Sequence, residues 1–247
     1  MTSYAEASLV NSMGFLAEAQ ANLANNLANA NTTGFKRSEA IARTAPAHVR
    51  GMLGAELPTV QFSKVLDWTA GIPEPTNEKL HVALEDEESF FRVRSKDGSN
   101  YYTRRGDLTI DQEGFLATTS GAHYLDDQDQ EIHVGAVGEL IIKANGEISS
   151  ADPGADPTVT FGNLGVFSRG RLTLEPIGSG LFLEPTNHLP TWNPTASVRQ
   201  GSLERSNVDV VTELVRMIEV QRNFQAVSRA MTGIGRLGSS FNTALNR

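Results

Sequence analysis

The stretch Ala24–Arg37, ANNLANANTTGFKR, combines a helical spacing with an unusual density of asparagine. Asparagine is a mediocre helix former because its side chain competes for backbone hydrogen bonds. These side chains recur at i, i+3, i+4 and i+7, in one stripe along a helix: Asn22, Asn25, Asn26 and Asn29. A neutral amide both donates and accepts hydrogen bonds, so the stripe suits a helix that packs on neighbours along more than one line. The alternative interpretation is a fraying helix end before a stop at Thr32–Thr33–Gly34.

A second stripe of this helix has the alternating four- and three-residue steps of a coiled-coil seam: Leu9, Met13, Leu16, Gln20, Leu23 and Leu27. Towards the other end of the chain, Ser206 and Asp209 form a capping pattern before a longer apolar run. That run follows one heptad track, interrupted at Glu213 and Gly238: Val210, Met217, Val220, Phe224, Val227, Met231, Ile234, Phe241 and Leu245. A helix of about forty residues is roughly 60 Å long and needs a partner. The sequence predicts that the two terminal helices pair as a coiled coil.

The region between the two helices has a different pattern. All ten prolines fall between Pro46 and Pro194. From Leu80 onward, short apolar-polar alternations are separated by turn signals such as Asn145–Gly146, which is typical of strands and hairpins. We therefore predict an α+β chain with an N-terminal helix (1–36), an extended arm (37–75), a central all-β domain (76–204) and a C-terminal helix (205–247). Frequent strands and short turns favour a small barrel or sandwich for the central domain.

The composition excludes several classes of protein. Hydrophobic residues make up 39% and charged residues 20%, as in a globular chain, and no apolar run is long enough to span a membrane. The chain has no cysteine, which excludes disulfides, thiolate metal sites and cysteine nucleophiles. The net charge is −8 and the C-terminal arginines are mixed with glutamates, so we predict no nucleic-acid partner. The N-terminus lacks the basic region and apolar core of a conventional secretory signal, and we expect no membrane insertion.

No pattern in the sequence predicts a catalytic residue, a cofactor or a metal. The histidines are dispersed, without a metal-ligand spacing: His48, His81, His123, His133 and His188. Residues 85–88 form the densest acidic cluster, but alternate side chains of a strand point to opposite faces and do not converge on one ion. Asp126, Asp127 and Asp129 lack the glycine and glutamate that a calcium loop needs. The sequence therefore gives no basis for an enzyme.

A series of short motifs extends along almost the whole chain. It begins with Asn25–Asn29 and Thr33–Lys36, and it continues through these stretches: Thr76–Asn77, Leu80–Leu84, Phe90–Val93, Tyr102–Leu108, Asp111–Gly114, Gln200–Glu204, Ser206–Val211, Glu213–Leu214, Met217–Ile218 and Gln221–Phe224. In this order the motifs resemble those of the bacterial flagellar rod and hook family. Residues 122–195 match that family loosely. Asp86–Ser89 lacks the glycines that the family usually has in this acidic turn. A positive φ, which glycine adopts readily, would therefore be costly at these residues.

The resemblance implies a structural subunit whose copies stack helically into a hollow shaft that transmits torque from the motor to the hook. The terminal helices would form its inner tube and the β domain its outer layer. The partners it implies are copies of this chain, other flagellar rod proteins, the surrounding ring proteins and, during secretion, the export apparatus. The shaft would span the periplasm, and the flagellar type III apparatus would export the subunits without cleaving a signal peptide. Distal-rod members of the family tend to carry a longer insert between Phe35 and Thr76. The short segment in this chain therefore favours a proximal rod position.

In such an assembly, we expect the leucine seam to hold the helices of one subunit together and the amide stripe to face neighbouring subunits. The expected interface residues belong to the two helices and to the segments that flank them: Leu16, Asn22, Leu23, Asn25, Asn26, Leu27, Asn29, Thr33, Gly34, Phe35, Asn207, Val210, Met217, Val220, Phe224, Val227 and Met231. A protein of another class, a secreted glycan-binding β-module on a coiled-coil stem, is the alternative. It requires exposed aromatics on one strand face, and the candidates are few and scattered: Trp68, Tyr101, Tyr102 and Trp192.

Overall fold

The computed structural model describes residues 2–45, 59–135, 139–150, 160–170, 174–186 and 191–245. In these ranges the elements follow one another in this order: α1 (Thr2–Ala28), β1 (Ser38–Ala45), β2 (Thr59–Leu66), β3 (Pro73–Pro75), β4 (Val82–Leu84), β5 (Ser89–Arg94), β6 (Asn100–Thr103), β7 (Leu108–Ile110), β8 (Leu116–Thr118), β9 (His123–Tyr124), β10 (Leu140–Ile142), β11 (Glu147–Ser150), β12 (Thr160–Asn163), β13 (Val166–Ser168), β14 (Glu175–Gly178), β15 (Leu181–Leu183), β16 (Thr191–Trp192), β17 (Val198–Gln200), β18 (Ser202–Glu204) and α2 (Val210–Leu245). Terminal helices around a mostly β centre confirm the predicted α+β class. None of the described helices combines the length and the hydropathy that crossing a membrane requires.

The chain divides into two compact units. The helical unit consists of Met1–Ala30, Arg37–Asp67 and Val208–Arg247, and the β unit consists of Asn31–Lys36 and Trp68–Asn207. The segment predicted as an extended arm is therefore shared, because its part up to Asp67 belongs to the helical unit. There β1 and β2 pair antiparallel over their whole length, from Ser38 opposite Leu66 to Ala45 opposite Thr59.

In the helical unit, α1 packs against both α2 and β1. Leu16 and Leu23 are buried on its inner side, while Phe15 lies 5.9 Å from Phe62 of β2, between ring centroids. Helix α2 begins at Val210 behind a side-chain cap, but the cap is Asp209 and not Ser206, which the predicted S-x-x-D pattern places at that position. The Asp209 carboxylate accepts a hydrogen bond from the Thr212 backbone N–H at 2.9 Å, which satisfies one of the unpaired donors of the first turn.

The largest sheet of the β unit has the strand order β14-β15-β6-β5-β9-β8-β7, and β13 joins it by pairing with both β5 and β16. Three smaller sheets pair β10-β11-β12, β17-β4 and β18-β3. Apolar side chains of several sheets share one core, which includes Val82, Phe91, Leu116, Tyr124 and Ile148. The hairpin predicted at Asn145–Gly146 joins β10 to β11, and Gly146 takes the positive φ (85°) that this turn demands.

The turn at Asp86–Ser89 forms without the glycines whose absence made it questionable. The Asp86 carboxylate accepts backbone hydrogen bonds from Glu88 at 2.9 Å and from Ser89 at 2.6 Å. An aspartate that bonds the backbone two residues onward replaces the usual turn hydrogen bond. No residue of this turn has a positive φ, so the turn does not need glycine.

Candidate assembly interface

The last turns of α1 contain a buried amide that is fully hydrogen-bonded. Asn26 is 1% exposed, and its Nδ2 donates to the Ser38 carbonyl at 2.8 Å and to Glu213 Oε2 at 3.0 Å. Its Oδ1 accepts from the Ser38 backbone N–H at 3.1 Å. The side chain therefore pairs with both backbone groups of Ser38, as a neighbouring strand would. One turn earlier, Asn22 accepts a hydrogen bond from the Ser38 hydroxyl.

Glu213 completes this group, which we call the amide–carboxylate cluster (Asn22, Asn26, Ser38 and Glu213). The carboxylate is 1% exposed, and it accepts from Arg37 Nη1 at 3.4 Å and from Arg216 Nη1 at 3.5 Å. A buried charge is strongly destabilising unless it is paired and hydrogen-bonded. Glu213, which interrupts the α2 heptad track, thus makes polar contacts with Asn26 of α1 and with Arg37, the residue before β1.

The amide stripe is divided between buried and exposed positions. Asn22 and Asn26 are buried with partners in the same chain, so the expectation that they face neighbouring subunits is wrong at these two positions. Asn25 is exposed. Asn29 is half-buried, and its Nδ2 donates to the Asn25 carbonyl at 2.9 Å, which caps the end of α1. The division follows from helical geometry, because positions 22 and 26 point inward while position 25 lies about 100° away from position 26.

The apolar residues expected at the interface also occupy several environments. Leu16 and Leu23 are buried and Leu27 is half-buried, whereas Gln20 of the same seam is exposed. Helix α2 has a half-buried track at intervals of three and four residues: Met217, Val220, Phe224, Val227, Met231 and Ile234. Val210 is exposed, and Phe241 and Leu245 lie beyond the side chains that the structure describes.

The segment after α1 belongs to the β unit, where Lys36, Arg104 and Glu204 form a second cluster, the buried ion cluster. All three side chains are at most 2% exposed. Lys36 Nζ lies 2.8 Å from Glu204 Oε1, and Arg104 Nε lies 2.8 Å from Glu204 Oε2. Burial lowers the pKa of the Lys36 ammonium below its usual value, and the charge of Glu204 opposes this shift.

Backbone groups complete the hydrogen bonds of this cluster. Lys36 Nζ donates to the Thr69 carbonyl at 2.7 Å, and the Gly71 N–H donates to Glu204 Oε1 at 2.9 Å. Arg104 Nη1 and Nη2 donate to the carbonyls of Ser89 at 2.5 Å and Asp86 at 2.6 Å. The three charges are therefore paired as burial requires, and they join the TTGFK segment to the end of β18.

The β unit also contains Gly34, Phe35 and Asn207 of the expected interface. Gly34 is buried at φ 66°, and its N–H donates to the Glu204 carbonyl at 2.9 Å. A Cβ at this position would lie 2.6 Å from the carbonyl carbon of Arg104. Asn207 donates its backbone N–H to the Phe35 carbonyl at 3.4 Å and its Nδ2 to Thr69. Thr33 is half-buried beside this segment.

Three protein-family models match this chain, and all the residues of both clusters except Ser38 fall in the matched segments. "Flagella basal body rod protein" matches residues 13–36, "Flagellar hook protein FlgE/F/G D1 domain" matches 86–150, and "Flagellar basal body rod FlgEFG protein C-terminal" matches 199–237. The flagellar basal-body rod protein FlgF of Caulobacter vibrioides is 31% identical over 223 residues, which cover 88% of each chain. The chain belongs to the flagellar basal-body rod protein family.

Other relatives in the rod protein family carry two names. The FlgG protein of Bacillus subtilis is 31% identical over 240 residues, covering 85% of this chain and 87% of its own. The FlgF protein of Escherichia coli is 31% identical over 228 residues, covering 87% of each. Both names describe basal-body rod proteins, so structural membership of the rod is common to them.

Sequence reasoning missed the charged residues that organise this rod-family chain. Lys36, Arg104 and Glu204 occur in motifs that carry the family resemblance, but the sequence pattern assigned no role to their charges. Glu213 was identified only as a heptad interruption. The one local signal for such a residue is a charge at a position whose heptad neighbours are apolar, since this position faces the partner helix.

The described part of the chain contains no group of three metal-ligating side chains placed to hold an ion. His123 lies between two carboxylates, at 2.9 Å from Asp111 and 3.1 Å from Glu131, and its ring stacks on Phe115. His48 and His188 lie outside the described residues. Of the aromatics considered for glycan binding, Trp68 packs against Phe90 and Phe182, while Trp192 is exposed on β16.

Proposed function

We propose that this chain is a proximal-rod, FlgF-like subunit whose copies assemble helically, with other rod proteins, into a hollow shaft that transmits torque from the flagellar motor to the hook. The observation that carries the proposal is the helical unit. It joins both ends of the chain, and among the described residues it exposes a stripe of alanines on α1 and a group of large apolar side chains near the start of α2. Such a unit suits an assembly in which each copy covers the next.

Inside each subunit, we propose that α1 and α2 pair as a coiled coil along Leu16 and Leu23 on one helix and Met217, Val220 and Phe224 on the other. The amide–carboxylate cluster supports this pairing. Because Asn26 bonds both Ser38 and Glu213, a one-residue shift of either helix would break several buried hydrogen bonds at once. A fixed register between the two chain ends is what a shaft under torque requires.

Between subunits, we propose contacts through the exposed members of the predicted interface, Asn25 and Val210, and through the apolar surface near the start of α2. The shaft would span the periplasm inside the ring proteins, and the type III apparatus would deliver the subunits. The role is structural, with no catalytic step. The predicted barrel or sandwich of the β unit would form the outer layer of the shaft.

A distal-rod subunit is the alternative, and the FlgG relatives at 31% identity favour it as much as the FlgF relatives favour a proximal position. The short segment between Phe35 and Thr76 is the feature that favours the proximal position. In either position the same two helices would line the shaft.

Deleting the gene and isolating basal bodies tests the proposal. We expect non-motile cells with incomplete rods, and recovery of both rods and motility with the parent gene. Intact rods without this chain would contradict the rod function. To separate the positions, basal bodies are isolated from a strain arrested by deletion of the other mid-sized rod gene. A proximal subunit remains in the rod stub, whereas a distal subunit is missing from it.

A further inference from the structure

Each of the two helices of the helical unit has an exposed stripe that no other described residue covers. On α2 it consists of large apolar side chains, the α2 ridge: Val211, Leu214, Val215 and Ile218, which are 46–71% exposed. On α1 it consists of exposed alanines at steps of four, three and four residues, the α1 groove: Ala17, Ala21, Ala24 and Ala28. The spacing of both stripes is that of a helix face which packs on another helix.

Each stripe lies on the side of its helix opposite to the buried side. With 3.6 residues per turn, Ala28 of the α1 groove points about 160° away from the buried Asn26. On α2, the mean direction of the ridge differs by about 160° from the mean direction of the half-buried track. Intrachain packing between α1 and α2 therefore uses the other faces. Since both stripes are exposed in the same copy, the ridge of one copy does not cover its own groove.

We propose that the α2 ridge of one copy packs into the α1 groove of the next copy. Alanines let another helix approach closely, and the large side chains of the ridge fill the resulting space, as ridges fill grooves in helix packing. The groove is about 17 Å long and the ridge about 11 Å at 1.5 Å per residue, so the ridge fits within it. Between Ala17 and Ala28 the sole charged residue is Glu18, which pairs with Lys64 at 3.2 Å, so the groove offers an uncharged surface to an apolar ridge.

The contact joins two different surfaces of the same chain, so it is heterologous. Repeated from copy to copy, a heterologous contact that does not close into a ring produces an open helical assembly, whereas a ridge-on-ridge contact would stop at a dimer. The inference rests on the proposed rod function, and it names the surfaces through which that function brings copies together.

Cysteine cross-linking tests the contact without background, because the natural chain has no cysteine. Strains carry Ala21→Cys, Leu214→Cys or both as the sole copy, and basal bodies are isolated from motile cells under mild oxidation. We expect the double variant to form disulfide-linked dimers and higher oligomers, and neither single variant to do so. The matched control combines Ala21→Cys with Asn223→Cys, since Asn223 is exposed but lies off the ridge. It is expected to form no oligomers.

The outcomes of the cross-linking experiment distinguish the proposed contact from its alternatives. Motile double-variant cells without cross-linked oligomers, or equal cross-linking in the control, would overturn the contact while leaving the rod function standing. Dimers from Leu214→Cys alone would replace it by a ridge-on-ridge contact. If the gene deletion leaves rods intact, the rod function itself fails, independently of any cross-link. Ala17→Cys with Ile218→Cys repeats the test should the first pair not assemble.

A second test of the contact changes the size of the side chains on the two surfaces and needs no oxidation. Ala21→Leu fills the groove and should lower the amount of chain recovered in basal bodies by about tenfold, in line with the cost of overpacking. Adding Leu214→Ala shortens the ridge and should restore most of the loss. Both positions are exposed in one copy, so the folding of the subunit itself should not change. A double variant no better than Ala21→Leu would contradict the proposed contact.

Discussion

Asn26 and Glu213 stand 187 positions apart in the chain, and the Asn26 amide donates to the Glu213 carboxylate at 3.0 Å inside the helical unit. The same amide binds both backbone groups of Ser38. One side chain thus connects the end of α1, the start of β1 and the first turns of α2. Within one copy of this rod-family chain, the connection joins segments from both ends of the sequence.

Asn26→Ala should destabilise the helical unit by about 2–3 kcal/mol, because Glu213 and the backbone of Ser38 would lose buried hydrogen-bond partners. Urea unfolding of the full chain, followed by the helical circular dichroism signal, measures the change. Asn25→Ala is the matched control, since Asn25 is exposed one position earlier, and it should change the free energy of unfolding by no more than about 0.5 kcal/mol. Equal effects of the two substitutions would contradict the assigned role.

Lys36→Met should destabilise the β unit by about 3 kcal/mol, since it removes one partner from a fully buried ion cluster. Trp68 is the natural fluorescence probe, because its backbone carbonyl lies 3.5 Å from Lys36 Nζ. The control is Lys143→Met, which breaks the pair between exposed Lys143 and Glu147, and its effect should stay within about 0.5 kcal/mol. A Lys36→Met variant as stable as this control would show that Lys36 is not needed in the cluster.

Gly34→Ala should cost more than Gly98→Ala, although both glycines have a positive φ. At Gly98 a Cβ would meet nothing within 4 Å, so the substitution should cost only the conformational penalty of about 1 kcal/mol. At Gly34 a Cβ would lie 2.6 Å from the Arg104 backbone, which raises the expected cost to about 3 kcal/mol. Thermal unfolding of the two variants separates the effect of the close contact with the Arg104 backbone from the effect of the positive φ. Similar losses of stability in the two variants would rule out the close contact as the cause.

The cap at Asp209 should make the stability of α2 depend on pH. The hydrogen bond from the Thr212 N–H to the ionised carboxylate lowers the pKa of Asp209 in the folded chain. As the pH falls below about 4, the unfolded chain binds the proton before the folded chain does. The stabilisation that the ionised cap contributes is therefore complete above this pH, and it is lost as the pH falls through the pKa of Asp209 in the folded chain.

Two substitutions separate the charge of this cap from its hydrogen bond. Asp209→Asn keeps an acceptor and should remove this part of the pH dependence, whereas Asp209→Ala should lower the helix content of α2 on both sides of the transition. Circular dichroism of the three chains between about pH 5 and pH 3 measures the difference. A parent chain and an Asn variant with the same pH profile would exclude the ionised cap.

The sequence by itself determined the two terminal helices, the α+β class and the hairpin at Asn145–Gly146, because each depends on local spacing, capping and turn chemistry. It also determined the family, through motifs spread along the chain. Tertiary structure alone decided that Asn26 points inward while Asn25 points outward, and that Lys36, Arg104 and Glu204 are buried. Burial of a polar side chain depends on which distant partners satisfy it, and a partner such as Glu213 for Asn26 is brought within reach only when the whole chain has folded.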